Sequence, residues 1–94
     1  MIRAKTKLVA TLGPSSDKYE IIKELVDYGL VLIRINLSHG SYKDHQEKVE
    51  IIETLRKEGN LVAIMMDLKG PKIRCGKFEN GYVEFFKGDI TRIV

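Results

Sequence analysis

An α/β fold with a parallel sheet is what this 94-residue sequence predicts, and three observations predict it. Short apolar runs recur at residues 7–12, 31–37 and 61–66. Between them lie two stretches with apolar residues at helical spacing, and the connections are short. Strands that are apolar throughout are buried on both faces, the mark of a parallel sheet covered by helices. Right-handed crossovers then place both helices on one face of the sheet. A barrel and an open α/β sheet both satisfy this pattern, and periodicity does not choose between them.

The first strand, Lys7-Leu8-Val9-Ala10-Thr11-Leu12, is stopped by Gly13-Pro14. Ser15-Ser16-Asp17 then offers an N-cap, and Glu20 stands three residues after Asp17, as a capping box requires. Ile21, Ile22, Leu25 and Val26 form one helical stripe, and Gly29 supplies the C′ residue. The second strand runs over 31–37. Ser41 caps a second helix, with Asp44 in its first turn, where the helix dipole favours a negative charge. Val49, Ile52 and Leu55, flanked by Ile51, form its apolar face, and Gly59-Asn60 stops it. The third strand, Leu61-Val62-Ala63-Ile64-Met65-Met66, leads into Asp67.

After Gly70-Pro71 the pattern changes. Residues 75–79 and 82–86 flank Asn80-Gly81, a strong hairpin signal, and Lys87-Gly88-Asp89 makes a further turn before a short strand over 90–94. No helical spacing remains. A boundary is therefore expected near residues 69–73, dividing an α/β unit over 1–70 from an antiparallel β segment over 71–94.

Bulk composition narrows the classes. The length suits one small domain, and 44% hydrophobic residues suit a globular core. No apolar run is long enough to cross a membrane. The N-terminus is basic, but the apolar segment behind it breaks at Gly13-Pro14, which does not read as a signal peptide. A lone cysteine, Cys75, excludes an internal disulfide and fits a reducing compartment, so a cytoplasmic location is expected. The Met65-Met66 pair reads as core filling. The net charge of +3 leans towards anionic partners. Its charges are mixed in sign along the helices, without the clustered basic and aromatic surface of nucleic-acid binders. Neither a nucleic acid nor a membrane is expected as partner.

The chemistry gathers at the strand ends. Side chains alternate along a strand, so Arg34, Asn36 and Ser38 of the Arg-Ile-Asn-Leu-Ser-His-Gly stretch are expected on one side. A cation, an amide and a hydroxyl converging where a buried strand ends call for a partner, and an anionic ligand is the natural candidate. The third strand ends in Met66-Asp67-Leu68-Lys69-Gly70-Pro71-Lys72-Ile73-Arg74. In parallel α/β folds the carboxyl ends share one side, and ligands bind there. Arg34, Asn36, Ser38, Asp67 and Arg74 are therefore expected to meet. The bland readings are an Arg34 held in a structural ion pair, a His39 that only caps a loop, and an Asp67 paired with Lys69 or Lys72.

Taken together, the block from Thr6-Lys7 to Ser16, the block RINLSHG and the block MMDLKGPKIRCG resemble, in order and spacing, the N-terminal part of pyruvate kinases. The resemblance covers essentially the whole chain. It implies the first three βα units of a TIM (β/α)8 barrel over 1–70, followed over 71–94 by the start of an inserted small β domain. It implies phosphoryl transfer from phosphoenolpyruvate to ADP, giving pyruvate and ATP. Arg34 matches the arginine that holds the transferring phosphoryl group, a role its planar fork suits. Asn36, Ser38 and His39 match residues of the nucleotide and monovalent-cation site, and Arg74 matches an arginine on nucleotide phosphates. Asp67 matches a potassium ligand, alongside Asn36, Ser38 and Leu68. Magnesium is implied as cofactor, with ligands on later strands, and homotetramers are the family habit.

Two positions depart from the commoner family pattern: Leu68 replaces a threonine and Lys72 a glutamate. Leucine offers a cation no hydroxyl, and Lys72 brings its own positive charge, which is expected to stand in for potassium. The family's catalytic lysine and magnesium-binding acidic pair have no counterpart here. A TIM barrel needs ~250 residues. The chain therefore reads as a fragment that does not turn over by itself and, with open strand edges, self-associates. A stand-alone phosphate- or nucleotide-binding α/β module without catalysis is the competing reading.

Overall fold

The computed structural model describes residues 4–93. Met1 to Arg3 of the basic N-terminal stretch, and Val94 of the expected last strand, lie outside the described residues. The elements follow the expected order: β1 (Leu8–Thr11), α1 (Tyr19–Asp27), β2 (Leu30–Asn36), α2 (Tyr42–Lys57) and β3 (Ala63–Asp67). The strands form one parallel sheet in the order β1-β2-β3. The strand boundaries and the start of α1 differ from the sequence expectation by one or two residues, whereas the end of α1 and both ends of α2 fall where expected.

One face of the sheet is covered. Ile33 and Ile35 of β2 are buried against Ile22 and Val26 of α1 and Ile52 and Leu55 of α2, with Leu12, Leu30 and Val62 closing the cluster. Both helices thus lie on the same side of the sheet, as right-handed crossovers require. Ile22, Ile33, Ile35, Ile52 and Leu55 are essentially inaccessible, each stabilising the fold by roughly 1.5–3 kcal/mol. The opposite face is left open. Val9, Leu32 and Ala63 stand in register on it, followed by Thr11, Arg34 and Met65, then Asn36 and Asp67. Val9 and Met65 are exposed there, so Met65 is not the core filler the sequence suggests, and Met66 is exposed as well.

The helix ends show which local signals act. Ser41 caps α2 in a reciprocal capping box: its hydroxyl accepts from the Asp44 N–H, and its own N–H donates to the Asp44 carboxylate at 2.8 Å. At the other end Gly59, at φ 93°, donates to the Arg56 carbonyl, and the Asn60 N–H reaches the Leu55 carbonyl. Gly29, at φ 106°, ends α1 in the same manner by donating to Val26. The expected capping box of α1 does not form. Lys18 occupies the N-cap without a side-chain bond, and Asp17 stands one residue too early. Ser16 is engaged elsewhere, its hydroxyl accepting from the Gly13 N–H at 3.1 Å. The Tyr19 hydroxyl instead donates to the Glu58 carboxylate at 2.7 Å, which raises the phenol pKa.

Beyond Asp67 the expected antiparallel strands are not present among the described residues, and every described residue from Leu68 onward is exposed. The turns do form. The Gly81 N–H donates to the Phe78 carbonyl, one residue earlier than the Asn80-Gly81 signal predicts, with Gly81 at φ 82°. The Asp89 N–H donates to the Phe86 carbonyl, with Gly88 at φ 97°. Turn chemistry is local, whereas a two-stranded hairpin is marginal without a third strand or a packed face. Phe78, Tyr82, Val83, Phe85 and Phe86 find no such face here.

Candidate active site at the carboxyl ends of the strands

The ends of β1, β2 and β3 bring three functional side chains together on the open face. Arg34 of the central strand donates from Nε to Asp67 Oδ2 at 3.0 Å, and its Nη2 bonds the same oxygen. From its other edge, Nη1 donates to Thr11 Oγ1 at 3.1 Å. Backbone bonds hold these ends in register: the Leu12 N–H donates to the Arg34 carbonyl, and the Leu37 N–H to the Asp67 carbonyl. The guanidinium is therefore spanned between its two neighbouring strands. Three of its five N–H groups are engaged, and two remain for a ligand. The Arg34 side chain is 30% exposed and the Asp67 side chain 45%, so the pair is open to solvent and to small molecules.

Asn36 and Asp67 stand side by side in the β2–β3 register. Ser38 lies beyond the end of the strand. The strand ends at Asn36, whose Oδ1 accepts from the Ser38 N–H at 3.0 Å, and Ser38 and His39 follow in an exposed turn. Strand alternation therefore stops two residues earlier than the sequence suggests. A groove of about 470 Å³ opens beside this turn, bordered by Thr11, Asn36, His39 and Lys48 together with the carboxylates Asp17, Asp44 and Glu47. Arg34 and Asp67 do not line it. A hollow of similar size, about 480 Å³, lies beside Lys7, Gly29 and Asn60, away from the strand ends that carry the polar cluster.

The other candidates stand apart. Arg74 and Lys72 are exposed in the segment after β3, and neither makes an ion pair among the described residues. Arg74 is thus not brought to the Arg34–Asp67 pair. Asp67 is paired with Arg34 and not with Lys69 or Lys72. Cys75 is a free, exposed thiol. No group of three or more His, Cys, Asp or Glu residues suited to a metal occurs among the described residues. Thr11 is the contributor that sequence reasoning missed. It reads as an ordinary strand residue, and only its register opposite Arg34 marks it.

The chain as a whole has relatives among known proteins. The model of the pyruvate kinase barrel domain matches residues 3–94. The chain belongs to the pyruvate kinase family. It is 49% identical over 86 residues to pyruvate kinase of Clostridium perfringens and 45% identical to that of Thermotoga maritima, in each case covering 90% of this chain. The crystal structure of Cryptosporidium parvum pyruvate kinase superposes with a TM-score of 0.76 at 36% identity, over 85% of this chain and 17% of that one. The chain spans 18% of the length of the Clostridium and Thermotoga relatives. Among the described residues, no helix is long and apolar enough to cross a membrane.

Proposed function

We propose that this chain forms part of the active site of a pyruvate kinase, which transfers the phosphoryl group of phosphoenolpyruvate to ADP to give pyruvate and ATP. The observation that carries this reading is Arg34, held by Asp67 and Thr11 with two N–H groups unspent, in a chain of this family. A clamped guanidinium is pre-organised for the oxygens of a phosphoryl group. Phosphoryl transfer depends on such positioning and charge stabilisation more than on covalent chemistry by the protein. Asn36, Ser38, His39 and Arg74 are the residues proposed to meet the nucleotide, with Asn36 and His39 bordering the groove that would admit it.

The two metals of this chemistry stand differently. Magnesium would screen the phosphate charges, and its ligands are proposed to lie outside these 94 residues. A potassium ion fits the residues here poorly. Asp67 already carries the Arg34 charge on Oδ2, Asn36 Oδ1 accepts from the Ser38 N–H, and Leu68 adds a backbone carbonyl but no hydroxyl, which leaves Asp67 Oδ1 as the one oxygen of that carboxylate without a partner among the described residues. We therefore propose a potassium-independent enzyme, in which the Lys72 ammonium supplies positive charge near the nucleotide phosphates. The remainder of a longer pyruvate kinase chain, assembled as a homotetramer in the cytoplasm, is the proposed setting.

Pyruvate formation from phosphoenolpyruvate and ADP with magnesium tests the reading. The full-length protein carrying this segment is expected to turn over equally with potassium and with a bulky organic cation, and Lys72→Glu is expected to make potassium necessary. The 94-residue chain alone is expected to be inactive. A full-length protein without turnover overturns the functional reading. Strict potassium dependence of the unaltered protein overturns the role given to Lys72.

A further inference from the structure

We infer that Thr11 is a positioning residue: its hydroxyl fixes the plane of the Arg34 guanidinium, and through it the transferring phosphoryl group. The inference rests on the phosphoryl-binding reading of Arg34. Asp67 grips one edge of the guanidinium through a single oxygen, accepting from both Nε and Nη2. One oxygen acts as a pivot, about which a planar group still rocks. Thr11 supplies the second point, on Nη1 and from the strand on the other side of β2. Two anchors on opposite edges, from two different strands, remove that freedom.

The chemistry of the contact is unambiguous in direction. A guanidinium only donates, so Thr11 Oγ1 accepts, and the hydroxyl proton is left for another partner. β-Branching makes threonine stiff at χ1, so the strand itself holds the oxygen in place. The Leu12 N–H bond to the Arg34 carbonyl, at 3.1 Å, secures the strands next to this contact. Valine has the same shape as threonine without the acceptor, and serine keeps the acceptor without the methyl group.

Thr11→Val, Thr11→Ser and Thr11→Ala, made in the full-length protein, separate the hydroxyl from the packing. With Thr11→Val, kcat/KM for phosphoenolpyruvate is expected to fall about tenfold, the scale of one hydrogen bond to a charged group. The melting temperature is expected to stay at the wild-type value, and Thr11→Ser to restore most of the loss. If Thr11→Val fails to fold, the contrast between Thr11→Ser and Thr11→Ala carries the same test. A Thr11→Val enzyme with wild-type kinetics, or a Thr11→Ser enzyme as impaired as Thr11→Ala, overturns the positioning role while leaving the functional reading intact. An inactive wild-type protein overturns the functional reading, and this role with it.

Discussion

Gly40 shows how one residue holds the turn beside the candidate site. Its φ is +81°, a region that L side chains avoid at a cost of roughly 1–2 kcal/mol. A Cβ placed there would stand 3.3 Å from His45 Cε1 and 3.4 Å from the Asp44 carboxylate. Gly40→Ala in the full-length protein is therefore expected to lower thermal stability by roughly 1–2 kcal/mol. Melting curves check this, and an unchanged midpoint would mean that the turn relaxes freely. Arg34, Asn36 and Asp67 were legible in the sequence because polar residues at the ends of apolar runs stand out. Alternation does not extend to Ser38, because the strand ends at Asn36, whose side chain accepts from the Ser38 N–H. Thr11 was silent because its value lies in register, which no single strand encodes.

Among the elements, α2 is the one whose ends both follow from sequence. Its Ser41-x-x-Asp44 start forms a closed set of hydrogen bonds within four residues, so nothing distant competes with it. The start of α1 does not follow, because Ser16 is drawn into the preceding turn and Tyr19 is tied to the far end of α2. The α2 cap has a pH signature. Hydrogen bonds from the Ser41 N–H and hydroxyl hold the Asp44 carboxyl below its ordinary value of 3.8. A lowered pKa in the helix means stabilisation that is full above the ordinary value and lost as pH falls through the lowered one. In a peptide of residues 40–60, Asp44→Asn is thus expected to reduce helicity at neutral pH. The difference from wild type should close at acid pH, as circular dichroism would show. A difference that is independent of pH would remove the carboxylate from the cap.

On the scale of the whole molecule, the sheet has one face packed under two helices and one face open, and the open face carries the polar cluster. The α/β architecture was legible because each βα unit buries its own apolar stripe against a neighbouring strand. The expected β segment was legible only as turns, since its strands need partners that local sequence does not supply. The proposed function joins these pieces: it gives the clamped arginine at the carboxyl ends of the parallel sheet the task of gripping a phosphoryl group. Lysine keeps the charge of arginine but has neither the planar fork nor the second edge that Thr11 holds. The most direct test is kcat/KM for phosphoenolpyruvate in the full-length protein with Arg34→Lys. A fall of at least about a hundredfold is expected, the scale of removing a donor from a transition-state charge site. Turnover by Arg34→Lys equal to that of the unaltered protein would contradict the account.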